Sequence, residues 1–271
     1  MGNLFVSEMK TNFDEDKFLV IRDALSENKR KQLLNCFEKF KKNPMFKLQG
    51  NPNNSSVTNA FRLQSILYSN QYYSSDEIEL NKIKKWFNFT SSELFPILDP
   101  LLDNLFSNLK VNWTVQRITT MHTFPGCPEQ EIHHDNDEDD NIFFVTIPLN
   151  DTPIKMGPTI FYTYPQVKHF RKPIDLEGYK KGVFYNNLGF FHEFNKNDQE
   201  ILKNARRQYP LKFGDYTVHR DITIHHGAAN NSNKERKMLF ITINTGNVSV
   251  IDFFEIKNGL LLVDSKRFDK Y

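Results

Sequence analysis

The chain has 271 residues, of which 39% are hydrophobic and 14% aromatic, enough to bury a sizeable core in one large domain. A formal net charge of +2 without basic clustering excludes the footprint of a dedicated nucleic-acid binder. Cys36 and Cys127 cannot build a disulfide framework, no apolar run approaches the ~20 residues of a membrane span, and the N-terminus shows no signal-peptide core. The expectation is a cytoplasmic protein with free thiols, without membrane or nucleic-acid partners.

Phe18 to Ile21 is a short apolar run suited to a buried strand. Ser26 then caps a helix to about Lys42, with Leu33, Leu34, Phe37 and Phe40 on one face and a solvated basic face opposite. Residues 43–60, with Pro44, Gly50, Pro52 and several asparagines, read as a loop. A helical pair follows, Asp76 to Asn88 and Ser92 to Leu109, expected to pack with the first helix on the outside of a sheet.

From Val111 the apolar period changes to two. Val111 to Phe124 reads as a strand broken by Pro125-Gly126; Asn141 to Leu149 is another, and Thr159 to Tyr164 follows the Met156-Gly157-Pro158 turn. Residues 165–207 form a long aromatic and basic insertion with a helical fragment, Asp198 to Arg207. The insertion, with Lys168, Arg171, Lys172, Lys180, Lys181, Arg206 and Arg207, is a candidate substrate cap. Leu211 to Phe213, the Gly214-Asp215 turn, Tyr216 to His225, Lys237 to Asn244, Val248 to Ile256 and Leu260 to Val263 complete the pattern. Short strands at this spacing predict an antiparallel β-sandwich or barrel. The domain reading is one unit over 1–271, with a helical elaboration at about 26–109 and a β core at about 111–264.

Glu131-Ile132-His133-His134-Asp135 carries the chemistry. In an extended segment His133 and Asp135 project to one face, whereas His134 points to the other. A bare His-x-Asp also suits a polar turn, here beside the acidic run Asp137 to Asp140. A distal histidine changes that balance: His225-His226 ends a β-type run. Two histidines and one carboxylate on one face, with the opposite positions open, hold the iron of non-haem Fe(II) oxygenases. Arg236 opens a following strand, and its planar fork suits a dicarboxylate.

These residues together resemble the phytanoyl-CoA dioxygenase-like family of Fe(II)- and 2-oxoglutarate-dependent oxygenases. The likeness lies in an ordered set: Phe18-Leu19-Val20-Ile21-Arg22-Asp23, Pro125-Gly126, His133-x-Asp135, Gly157-Pro158-Thr159, Gly214-Asp215, Thr223-Ile224-His225 and Asn230-x-Ser232-x-x-x-Arg236. It spans about residues 13 to 245. The resemblance implies a mainly β (α+β) fold, a double-stranded β-helix (jelly roll, cupin-like) buttressed by the N-terminal helices. It also implies Fe(II), 2-oxoglutarate and O2 as cofactor and co-substrates, and His133, Asp135 and His225 as catalytic metal ligands. His225 is favoured over His226 because it lies eleven residues before Arg236, the spacing the family shows. Arg236 would bind the distal carboxylate of 2-oxoglutarate, with Thr146 and His122 lining that pocket. Halogenating relatives lack the carboxylate ligand, so Asp135 implies a hydroxylase or desaturase. A non-catalytic jelly-roll binding module and a cupin-like metalloenzyme that does not use 2-oxoglutarate are the competing readings.

Overall fold

Two antiparallel sheets face each other and carry the helices on one outer side. The computed structural model describes residues 13–50, 61–70, 76–135, 141–167, 190–191, 196–246, 254–257 and 260–263, and structural statements refer to these. In chain order the elements are β1 (Phe18–Ile21), α1 (Glu27–Lys41), β2 (Gln49–Gly50), β3 (Arg62–Ser69), α2 (Glu77–Leu109), β4 (Thr114–Thr123) and β5 (His133–His134). Then come β6 (Ile142–Pro148), β7 (Thr159–Tyr162), α3 (Tyr164–Val167), β8 (Phe190–Phe191), α4 (Lys196–Ala205), β9 (Arg206–Gln208) and β10 (Tyr216–Arg220). β11 (His225–Gly227), β12 (Arg236–Asn244), β13 (Phe254–Lys257) and β14 (Leu260–Val263) follow. The larger sheet has the order β1-β10-β6-β12-β4-β3-β2, the smaller β8-β5-β11-β7-β9, and β13-β14 pair separately. This is the antiparallel, β-rich arrangement predicted from the strand pattern, in the jelly-roll form that the resemblance implies.

Strand register explains which side chains face inward. Arg236, Thr123 and Arg62 occupy one row across β12, β4 and β3. Two residues along each strand, Met238, Met121 and Gln64 form the next row. Thr217, Thr146 and Phe240 align across β10, β6 and β12. The alternate residues, including Val145, Val218, Leu239 and Ile241, face α1 and α2 and form the main apolar core. Between the sheets, the Phe18 and Phe161 rings stack at 4.7 Å.

α1 agrees with its predicted limits: the Ser26 hydroxyl accepts from the Lys29 N–H, and Leu33, Cys36, Phe37 and Phe40 are buried. Leu34, expected on the buried face, is 41% exposed. The expected helical pair is instead one 33-residue helix, α2, continuous through Pro96 and Pro100. Ser92 was expected to begin a helix, but its hydroxyl donates back to the Phe89 carbonyl (2.8 Å), as Ser91 does to Asn88 (3.0 Å). Pro100 has no N–H for the Pro96 carbonyl, and Lys29 Nζ from α1 donates to that oxygen at 2.8 Å. Burial of Leu94, Leu98, Leu102 and Phe106 at fourfold spacing anchors the helix to the sheet on either side of the prolines. Despite its length, no described helix is long and apolar enough to cross a membrane.

Two expected strands are redrawn. Tyr216 to His225 divides into β10 and β11, which belong to different sheets, because the chain turns at residues 221–224, closed by the Thr223 N–H on the Arg220 carbonyl (3.0 Å). Leu211 and Phe213 make isolated bridges rather than a strand. Most of the 165–207 insertion, including Lys168, Arg171, Lys172, Lys180 and Lys181, lies outside the described residues, as does the acidic run 137–140. The described part supplies β8, α4 and β9, so the insertion contributes strands to the smaller sheet.

The Gly214-Asp215 turn ties this frame together. The Asp215 side chain, 2% exposed, accepts from Arg22 Nη1 (2.7 Å), the Asp23 N–H (3.0 Å) and the Lys212 N–H (2.9 Å). Burial pushes its carboxyl up, but these donors hold it below the usual range. Asp215→Ala is expected to destabilise the fold by about 3 kcal/mol at neutral pH. A depressed folded pKa stabilises above the unfolded value of about 3.9 and loses that contribution as pH falls through the folded one. Urea unfolding at pH 7 and pH 3 should therefore show the penalty shrinking in acid.

Candidate metal centre

β5 and β11 are neighbours, and His133 stands directly opposite His225, with Phe161 of β7 on its other side. Alternation then places His133, His225 and Phe161 on the inner face and His134 and His226 on the outer face. His226 is engaged there: Nε2 lies 2.7 Å from Glu129 Oε1 and Nδ1 lies 3.3 Å from the Tyr162 hydroxyl. Asp135 follows as β5 ends, with its N–H donating to the Asp221 carbonyl of the β10–β11 turn at 2.9 Å.

One nitrogen from each of His133 and His225 and one oxygen of Asp135 lie within 4.8 Å of one another. His133 Nε2 is 3.9 Å from Asp135 Oδ1, and His225 Nε2 is 3.7 Å from Asp135 Oδ2. These distances exceed a hydrogen bond, so the atoms converge without pairing. Each imidazole is oriented through its other nitrogen: His133 Nδ1 donates to the Glu131 carbonyl (2.7 Å) and His225 Nδ1 to the Thr223 carbonyl (2.8 Å). Those bonds fix the Nδ1–H tautomer and aim both Nε2 lone pairs at the cluster. Burial, with His225 nearby, pushes His133 down to about 4, and burial also lowers His225. Both rings are thus neutral at pH 7, the state a metal requires. Burial alone would raise the Asp135 carboxyl; the pull of His225, His219 and His133 holds it well below the usual carboxylate range.

A fourth histidine stands beside them. His219 of β10 reaches in from the larger sheet, with Nε2 3.9 Å from Asp135 Oδ2 and its ring 4.7 Å from that of His225. The rings of Phe144 and Phe161 pack on it at 5.3 and 5.2 Å.

Arg236 lies on the same interior, 4% exposed, with Nη2 donating to Thr123 Oγ1 at 3.1 Å. Its Nε and Nη1 have no hydrogen-bond partner among the described residues. Burial and the neighbouring Arg62 both oppose its charge, which a carboxylate would relieve. Thr146 also faces inward, paired in register with Thr217 and Phe240. His122 does not join the group. It precedes Thr123 by one residue and so projects through the helix side of β4, where Nδ1 lies 2.5 Å from Glu235 Oε1 and the Phe46 ring packs at 6.4 Å.

Sequence reasoning passed over Arg62 and Gln130. Arg62 belongs to β3, whose alternation is broken by a bulge between Ile66 and Tyr68, so the segment shows no clean period. Gln130 pairs with Gly227 twice: its Oε1 accepts from the Gly227 N–H (2.9 Å), and its N–H donates to the Gly227 carbonyl (2.9 Å). No local signal distinguishes either residue.

No protein-family model matches the chain, and no curated protein matches it in sequence. Solved structures do. The epimerase SnoN in complex with Fe3+, alpha ketoglutarate and nogalamycin RO is similar with a TM-score of 0.60 at 12% identity, over 89% of this chain and 84% of that one. The non-heme alpha ketoglutarate dependent carbocyclase SnoK from nogalamycin biosynthesis gives 0.58 at 13% identity, over 88% and 83%. HygX from Streptomyces hygroscopicus, with nickel, 2-oxoglutarate and hygromycin B bound, gives 0.52 at 10% identity, over 89% and 88%. The chain has the fold of these enzymes. At such identities the likeness is one of fold, and the chemistry must be argued from the side chains.

Proposed function

We propose that the protein is an Fe(II)- and 2-oxoglutarate-dependent dioxygenase, a single domain over 1–271 that hydroxylates or desaturates a small organic molecule. The observation that carries this reading is the convergence of two oriented, neutral imidazoles and one carboxylate on the same interior as the buried Arg236. That donor set, two imidazole nitrogens and one carboxylate oxygen without a thiolate, suits ferrous iron. Proteins of similar fold bind iron or nickel with 2-oxoglutarate, and two of them also hold nogalamycin RO or hygromycin B. Phytanoyl-CoA dioxygenase-like enzymes remain the family that the residue pattern resembles.

When bound, iron with the 2-oxo acid supplies O2 activation coupled to decarboxylation of 2-oxoglutarate to succinate. The protein's part is positional. His133, Asp135 and His225 would hold the ion, and the Glu131 and Thr223 carbonyls keep both imidazoles in the ligating tautomer. Arg236 binds the distal carboxylate, with Thr146 lining the same interior. The Phe144 and Phe161 rings pack against His219, with Phe18 stacked on Phe161, and would shield a bound ion from water. The described strands of the insertion extend the smaller sheet that carries the ligands, which suits a cap over the substrate.

A substrate-panel assay reading succinate under Fe(II), 2-oxoglutarate and ascorbate tests the reading. Turnover should require both iron and 2-oxoglutarate. Arg236→Gln should raise the 2-oxoglutarate KM by on the order of 100-fold, the loss of a bidentate charge-assisted pair. Metal-dependent turnover with no need for 2-oxoglutarate would favour a cupin-like enzyme, and 2-oxo acid binding with no turnover on any substrate would favour a binding module.

A further inference from the structure

Arg62 lies outside every motif that points to the metal, yet it is among the most buried side chains of the protein. It is 2% exposed, and none of Nε, Nη1 and Nη2 has a hydrogen-bond partner among the described residues. A guanidinium offers five N–H donors and remains charged at neutral pH. Burying one without an anion strongly opposes folding, so the position needs a function that repays it.

Three observations locate the head group. Thr123 is the register partner of Arg62 on one side and of Arg236 on the other, so both arginines share one row of the inner face. Two strand spacings separate their backbones, roughly 10 Å, within reach of two converging arginine side chains. Each head lies near Cys127, and the charge of Arg62 is felt by Arg236 and by His133. Finally, the Arg62 head packs on Gly227, two residues beyond His225. A Cβ there would stand 2.7 Å from Arg62 Nη2 and 2.6 Å from Gln130 Oε1. The absence of a side chain at 227 lets both side-chain ends approach the backbone, and the guanidinium bridges from the larger sheet to the ligand-bearing strand.

We propose that Arg62 is a second anchor for the distal carboxylate of 2-oxoglutarate, which is gripped between Arg62 and Arg236. The inference rests on the oxygenase reading above and adds a residue to it. A carboxylate has two oxygens with about four acceptor directions, enough for donors from both guanidiniums. One carboxylate would then accept from both head groups, reaching up to about four of the nitrogens that lack partners, two on Arg236 and three on Arg62. Paired cations also make the pocket select 2-oxo diacids over 2-oxo monoacids of the same length.

Calorimetric titration of the Fe(II)-loaded protein under anaerobic conditions tests this without turnover. The ligands are 2-oxoglutarate and 2-oxopentanoate, which lacks the distal carboxylate; the proteins are wild type, Arg62→Gln, Arg62→Lys and Arg236→Gln. Arg62→Gln should weaken 2-oxoglutarate about 10- to 100-fold, Arg62→Lys should recover part of that loss, and 2-oxopentanoate should change less than about threefold. The ligand-free melting temperature of Arg62→Gln should hold or rise, because an unpaired buried charge is removed. Unchanged 2-oxoglutarate affinity in Arg62→Gln would overturn the proposal and leave Arg62 to a carboxylate of the primary substrate. An equal loss for both ligands, or a fall of several degrees in melting temperature, would overturn it in favour of a structural pairing. Absence of 2-oxoglutarate binding in the wild type would instead remove the oxygenase reading itself.

Discussion

Asp135→Ala is expected to abolish iron-dependent succinate formation and to weaken metal binding by at least ~100-fold. Residues that merely orient a ligand contribute 10- to 100-fold to metal affinity, so loss of a ligand must exceed that. Asp135 supplies the cluster's only carboxylate oxygen, close to both imidazoles at 3.7–3.9 Å. Without it, two neutral imidazoles would face a dication with no compensating charge. His225→Ala should behave alike, whereas His226→Ala should retain metal because that ring faces outward to Glu129 and Tyr162. Anaerobic metal titration together with succinate release checks both halves. Wild-type turnover in Asp135→Ala would remove the metal assignment.

Gly157→Ala should destabilise the fold by about 3 to 4 kcal/mol. Gly157 has φ +75°, a conformation that disfavours an L side chain by about 1 to 2 kcal/mol. A Cβ there would also overlap the carbonyl oxygens of Ala228 and Ala229, which are backbone atoms and cannot rotate aside. Relief requires moving the chain just after β11, the strand carrying His225, and such overpacking typically adds about 1 to 3 kcal/mol. The urea midpoint should fall accordingly, and 2-oxoglutarate affinity should fall with it, since Gly227, on which the Arg62 head packs, ends that strand. An unchanged midpoint would show that the turn relaxes without disturbing β11.

The linear pattern was most informative where periodicity and short-range chemistry coincide. Ser26 as a cap, the apolar strip of α1, the run of β1 and the alternation of β6 and β12 all follow from neighbours within a few residues. It was least informative where distant partners override local preference. The stretch between Asn88 and Ser92 reads as a break between two helices, but α2 runs on through it, and Lys29 from another helix serves the Pro96 carbonyl that Pro100 leaves without a donor. Tyr216 to His225 reads as one strand, yet its two halves belong to opposite sheets. His219 and His225 therefore approach each other from facing walls rather than along one face.

By itself, the sequence determined that this is a strand-rich chain with a His-x-Asp and a distal histidine, because alternation of side chains along a strand is a local property. Which histidine of each pair faces inward was settled by register: His133 opposite His225, with His134 and His226 turned away. Tertiary structure alone placed His122 on the helix side and brought Arg62 to Arg236 across Thr123. The physical reason is that pairing of strands far apart in the chain sets which residues share a row, and buried charge gains meaning only from what stands opposite it.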